Sequence, residues 1–304
     1  MMNLGWILFR QIAMMFVMML LGTLMFKTKK LTLEGSKQLG SILLYLVTPL
    51  VIINAYTIEY SEQRARFIGY AFLLSTIGLL LAIVISRVIF KEGIMRFSGA
   101  FSNAGFMGIP LVYATLGVEA VFYVSTYMAM LILLQWTYGV YAITQDASTV
   151  TFKKIITNPV IASVFVGLFI FFLKIPIPSL LLDVLSSVNQ LNGPLAMFVL
   201  GVYLAVTPIQ SLYNRLSLYT MSFVRLVFIP LIVVGVFTLL PADWYDAKLA
   251  IIIAASAPVG FNVAILAQQY DQDYSAAVGY IVLSTLLSIF SMPLMVTFAK
   301  SLWS

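Results

Sequence analysis

Two short runs carry most of the polar chemistry of this chain: "SNAGFMGIP" at 102–110 and "ASAPVGFNVAILA" at 255–267. Both sit inside strongly apolar stretches. In a helix interior a glycine costs about 1 kcal/mol and a proline about 3 kcal/mol, and an unsatisfied amide in an apolar medium costs more again. Pro110 has no N–H, and its ring clashes with the carbonyl of Phe106, four residues earlier. Gly105 and Gly108 let the backbone leave helical geometry. The second run repeats these features with Ser256, Pro258, Gly260 and Asn262. A half-helix that restarts near Pro110 or Pro258 offers unpaired N–H groups and the positive end of its dipole, which attract an anion without a buried arginine. Asn103 and Asn262 each add a donor and an acceptor. The spacing predicts two non-helical segments, 103–110 and 256–262, that meet at the two prolines. The candidate anion site is then Asn103, Gly105, Gly108, Pro110, Ser256, Pro258, Gly260 and Asn262. The plainer reading is proline kinks with asparagines tying neighbouring helices together. That suffices for one kink; two matched kinks, each with an asparagine, point to a site.

The elements that must hold these runs follow from composition. The chain has 304 residues, 62% of them hydrophobic and only 9% charged, with a mean hydropathy of +1.04. That is too little charge to cover a soluble domain of this size. Apolar runs long enough to span a bilayer recur along the chain, near 4–26, 38–57, 67–90, 97–116, 120–142, 158–174, 184–207, 216–239, 247–268 and 274–298. The expected fold is an all-α polytopic membrane protein of about ten transmembrane helices. The first run has no basic residues ahead of it and no small-residue cleavage site, so it reads as a retained span. With neither cysteine nor histidine, thiol chemistry and the commonest metal ligand and proton shuttle are excluded; no metal or cofactor is expected. The net charge of +6 reflects basic inner loops rather than a nucleic-acid partner.

Basic residues also orient the chain. Loops after odd-numbered spans hold Lys27, Lys29, Lys30, Lys37, Arg87, Lys91, Arg96, Lys153, Lys154 and Arg215; loops after even-numbered spans hold Arg64, Arg66, Lys174 and Lys248. The first set belongs in the cytoplasm of a cell bounded by the cytoplasmic membrane, which puts both termini, Ser304 included, outside. The loop with Asp271 and Asp273 lacks a base, but acids weigh little in this rule. Pro49 and Pro194 lie about 145 residues apart, and Pro110 and Pro258 about 148. Matching offsets suggest two repeats of five spans, 1–150 and 151–304; five is odd, so the second copy is inverted.

The residues 103–110 also resemble the fourth-span motif Asn-Thr-Gly-Asn-x-Gly-x-Pro of the auxin efflux carrier family, which includes malate and malonate permeases. Asn103, Gly105, Gly108 and Pro110 match; Ala104 and Phe106 depart and remove two polar contacts. "APVGFNVAILAQQYDQD", "TPLVIINA" and "STLLSIFSMPL" are similar to the family's ninth, second and final spans, so the likeness runs the whole length. It implies a secondary carrier for a small organic anion, such as a carboxylate or an auxin-like acid. It implies too that the broken fourth and ninth helices cross at their prolines with the substrate beside the crossing, and that alternating access is of the elevator type. It also implies a scaffold of spans one, two, six and seven that forms a homodimer.

Other residues carry two readings each. Arg225, some ten residues into the eighth span, snorkels to the inner face or finds a partner in the protein. Glu119 is a coupling proton site or an interface charge. Ser284, Ser288 and Ser291 share a helix face and line the path or bond to their own backbone. Tyr127, Gln135 and Tyr138 are weaker candidates, Arg10 reads as a snorkelling residue, and the many Met and Phe residues face lipid. An intramembrane aspartyl protease is excluded because Asp246 and Asp271 sit at span ends; there is no Walker-type loop either. The alternatives to an anion carrier are a sodium-coupled symporter of the bile-acid type and a channel or membrane receptor.

Overall fold

The computed structural model describes residues 4–150, 153, 157–207 and 215–303; Lys154 and Ser304, used above for sidedness, lie outside them. The described chain is helical, with one isolated β-bridge. Its helices are α1 (Leu4–Lys27), α2 (Leu33–Ala55), α3 (Glu62–Ile89), α4 (Gly93–Ala100), α5 (Ala104–Leu116), α6 (Val118–Thr144), α7 (Pro159–Phe172), α8 (Ser179–Val206), α9 (Leu216–Thr238), α10 (Tyr245–Ala255), α11 (Asn262–Gln269) and α12 (Tyr274–Trp303). Seven of them, α1, α2, α3, α6, α8, α9 and α12, are long and apolar enough to cross a membrane, so this is a multi-pass membrane protein. The other three predicted spans fall on the short α7 and on two interrupted runs, α4–α5 and α10–α11.

Helix starts have local causes. Thr32 accepts from the Gly35 N–H, Ser61 from that of Arg64, Asn158 from that of Val160 and Asp273 from that of Ala276, each satisfying a donor that the first turn leaves open. Pro159 occupies the first turn of α7, where its missing N–H costs nothing. Three prolines inside helices, in α2, the shorter α5 and α9, follow a π-helical turn: Leu43–Val47 before Pro49, Ala104–Gly108 before Pro110, and Val224–Phe228 before Pro230. Each turn contains the residue whose carbonyl the proline ring would otherwise strike, and the widened turn moves that carbonyl aside.

Two sets of helices pack closely, joined by contacts of α1 with α12 and of α6 with α7 and α2. α1 lies along α8, and α2 packs on both α7 and α8. A Cβ on Gly201 would come within 2.1 Å of the Met19 carbonyl oxygen, and one on Gly22 within 2.7 Å of the Phe198 backbone. Thr23 Oγ1 donates to the Gly201 carbonyl at 2.8 Å. This is close backbone packing through small residues, as in lipid. In the second group α3 packs on α4, α6 and α10, α6 packs on α10, and α9 packs on α12. Large apolar side chains such as Leu20, Val84, Phe165, Phe169, Leu180 and Phe290 point outward, where a bilayer would cover them.

One expectation about the break is corrected. The first interruption is at Phe101–Asn103, not along 103–110; Gly105, Gly108 and Pro110 all lie within α5. The π turn absorbs Pro110, so the chain has no need to unwind there. The second interruption, Ser256–Phe261, lies where the sequence placed it, and Asn262 opens α11.

Candidate functional site

The two interrupted runs meet through their backbones. Ser102 and Val259 form the antiparallel bridge, with Asn103 N–H donating to the Pro258 carbonyl at 2.7 Å and Gly260 N–H to that of Phe101 at 2.9 Å. The contact is thus between Phe101–Asn103 and Pro258–Gly260; Pro110 is not in it. Glycine at 260 is required by proximity, since a Cβ there would sit 3.0 Å from the carbonyl oxygens of both Phe101 and Ser102. Val259 N–H donates to Ser284 Oγ on α12 at 3.0 Å, and Ser102 Oγ lies 3.2 Å from the Tyr127 hydroxyl on α6. Two backbones that helix geometry no longer satisfies are satisfied by each other and by neighbouring hydroxyls. On the far side of the break, Gly108 brings α5 close to α10, where a Cβ would lie 3.2 Å from Ala254 Cα.

Arg225 finds partners in the protein rather than snorkelling. It is fully buried. Nε donates to the Ala257 carbonyl at 3.2 Å, one terminal nitrogen to those of Gly99 and Ala100 at 3.0 and 3.3 Å, and the other to that of Ala255. Those of Gly99, Ala100 and Ala255 are the C-terminal ends of α4 and α10, the negative ends of two helix dipoles, and that of Ala257 belongs to the unwound segment that follows α10. The guanidinium closes both with one planar group.

Beside the bridge lies a cavity of about 40 Å³, lined by Thr48, Ser102, Asn103, Gly105, Phe106, Gln135, Gly260, Phe261 and Asn262 among others. α5 and α11 both begin here, so their positive dipole ends lie beside it, although the Val263 and Ala264 N–H groups of α11 already donate to the Gly260 and Phe261 carbonyls. Asn103 Nδ2 is buried without a hydrogen-bond partner, as is Thr48 Oγ1. Asn262 Nδ2 donates to Gln135 Oε1 at 2.7 Å. Gln135 and Asn262 also line a larger cleft of about 260 Å³ with Trp136, Asn158 and Gln269. The arrangement offers donors, helix N-termini and no carboxylate: the chemistry of an anion acceptor.

The structure gathers Asn103, Gly105, Gly260 and Asn262 around the cavity. Pro258 belongs to the backbone pairing and Gly108 to the α5–α10 contact. Ser256 is buried and its Oγ is unpaired. Glu119 instead meets Arg64 at 2.8 Å with most of its side chain exposed, an interface charge that does not line the cavity. Ser288 donates to the Thr285 carbonyl of its own helix. Thr48 was not singled out from the sequence; its place directly before Pro49, a landmark of the apparent repeat, was the available signal.

The family model described as "Membrane transport protein" matches residues 143–296, just over half the chain. A protein of Rhizobium meliloti (strain 1021) named "Putative malonate transporter" is 26% identical over 275 residues, covering 84% of each chain.

Proposed function

We propose, for a chain that belongs to the membrane transport protein family of auxin efflux carriers and malate or malonate permeases and is a transporter rather than an enzyme, that it is a secondary carrier for a small organic anion. The observation that carries the reading is the unpaired Nδ2 of Asn103, buried at a cavity where two broken helices begin. A carboxylate there would accept from Asn103 and Thr48 and face two helix N-termini, which supplies specificity for an anion. The name of the Rhizobium meliloti relative makes malonate the first substrate to test.

The proposed architecture is ten membrane crossings in two inverted repeats, 1–150 and 151–304, with α4–α5 and α10–α11 as the fourth and ninth. The close packing of α1 with α8 and of α2 with α7 suits a fixed scaffold, and the remaining helices suit a body that slides against it as an elevator. In this reading the scaffold also forms a homodimer in the cytoplasmic membrane, with both chain termini outside. The cavity of about 40 Å³ at the crossing has space for only a few waters, each needing about 10–15 Å³, so loading an organic acid requires movement of α11 or α6. The test is uptake of radiolabelled malonate, and of a panel of mono- and dicarboxylates, into proteoliposomes. Saturable uptake with counterflow supports a carrier; non-saturable flux would indicate a channel, and binding without flux a receptor.

A further inference from the structure

We infer that Arg225 is a tethered cation occupying the position that a coupling metal ion would otherwise need, so that this carrier runs without sodium. The inference deepens the carrier reading and rests on it. In transporters with broken helices, half-helix C-termini and unwound carbonyls are where a coupling cation is held, while the half-helix N-termini face the anionic substrate. Both kinds of end are present at this crossing. The N-terminal ends of α5 and α11 open on the cavity. The C-terminal ends of α4 and α10 present the carbonyls of Gly99, Ala100 and Ala255, the unwound segment after α10 adds that of Ala257, and the Arg225 guanidinium donates to all four. No carboxylate shares the position: the ion pairs among the described residues are Lys37–Glu34, Arg64–Glu119 and Arg215–Asp273. The guanidinium also meets the hydroxyl of Tyr127 on α6, so the positive charge answers backbone carbonyls and a neutral phenol rather than a carboxylate. Because the side chain is covalently part of α9 and fully buried, this charge is present whether or not substrate is bound and whatever the salt outside. A sodium ion would have to displace a guanidinium from four carbonyls to bind there.

The test has two arms. In the first, purified wild-type protein is melted in detergent in sodium, potassium and choline chloride at equal ionic strength. A site for sodium would raise the melting temperature with sodium concentration; the expectation is agreement within about 1 °C, and a saturable rise in sodium alone overturns the inference. In the second, malonate uptake into proteoliposomes is compared in the same salts and in Arg225→Ala. Wild-type uptake should agree within about twofold across the salts, and a fall of about tenfold in choline overturns the inference. Arg225→Ala should melt about 5 °C or more lower, because four buried carbonyls lose their donors. It should lose uptake by tenfold or more, with partial recovery in methylguanidinium chloride. A folded Arg225→Ala protein that carries malonate at the wild-type rate overturns it. If that variant does not fold, Arg225→Lys, which keeps a tethered charge but reaches fewer carbonyls, takes its place: it should melt lower than wild type yet keep uptake within about tenfold, and a folded Arg225→Lys protein without uptake overturns the inference. Wild-type protein that carries no organic anion would defeat the carrier reading, and the melting arm would still decide the inference.

Discussion

Asn262 and Gln135, 127 residues apart in sequence, share a hydrogen bond of 2.7 Å that joins the start of α11 to the middle of α6. Both side chains line the small cavity at the crossing and the larger cleft beside it, so the bond stands where the two spaces meet. Breaking it should alter access more than folding. Gln135→Ala and Asn262→Ala are each expected to lower malonate uptake by about tenfold, the worth of one hydrogen bond at a charged ligand, while expression and melting stay near wild type. Initial uptake rates in proteoliposomes, with melting curves on the same preparations, check this; wild-type rates in both variants would make the pair a packing contact.

Asn103 should separate stability from function. Its Nδ2 is buried without an acceptor, so Asn103→Ala removes an uncompensated donor and should leave the melting temperature equal or slightly higher. The same change should weaken malonate binding about tenfold or more, because a charge-assisted bond is worth roughly 1.5–3 kcal/mol. Asn103→Asp should be worse still, since it puts a negative charge in an anion site. Isothermal titration and melting on the same samples read both quantities, and a large drop in stability for Asn103→Ala would contradict the assignment.

Gly260 should tolerate no side chain. A Cβ would lie 3.0 Å from two carbonyl oxygens of the opposing segment, and forcing them apart strains the bridge by about 1–3 kcal/mol. Gly260→Ala is expected to melt several degrees lower and to lose uptake. Gly40→Ala, where nothing lies within 4 Å of the new atom, is the control and should be neutral or slightly stabilising.

Sidedness can be read with single cysteines, because the chain has none of its own. Ser36, in the first turn of α2, is buried and a poor target; Lys30, between α1 and α2, is exposed, and so is Gln63 in the first turn of α3, beyond the other end of α2. Lys30→Cys should resist an impermeant thiol reagent in intact cells and react after lysis, whereas Gln63→Cys should react in intact cells. The reverse pattern would invert the proposed orientation.

Much of the fold was legible because hydropathy and proline spacing are local signals. Seven predicted spans recur as single long helices within a few residues, and the two runs rich in Gly, Pro and Asn do meet. What the sequence misplaced was the first break. Pro110 looked like the interruption, yet a π turn accommodates it, and the chain opens instead at Phe101–Asn103. That choice depends on a partner strand 157 residues away, which no local pattern reports. The role of Arg225 was hidden for the same reason: its acceptors are backbone carbonyls of α4 and α10, and carbonyls leave no mark in a sequence.

The bond from Arg225 to Gly99 spans 126 residues, and this fixes an order of events during synthesis. When α4 and α5 enter the membrane, the carbonyls of Gly99 and Ala100 and the Asn103 N–H have neither Arg225 nor Pro258 to meet. At about 5–20 residues per second, the ribosome needs on the order of 10 s to deliver the arginine. Until then the first broken segment must borrow water, lipid headgroups or an insertion factor for its open backbone groups. Neither half of the chain can finish its own interior, so a ribosome stalled before α9 leaves a nascent protein with an exposed polar wound in the bilayer, the kind of lesion that membrane quality-control proteases are placed to find.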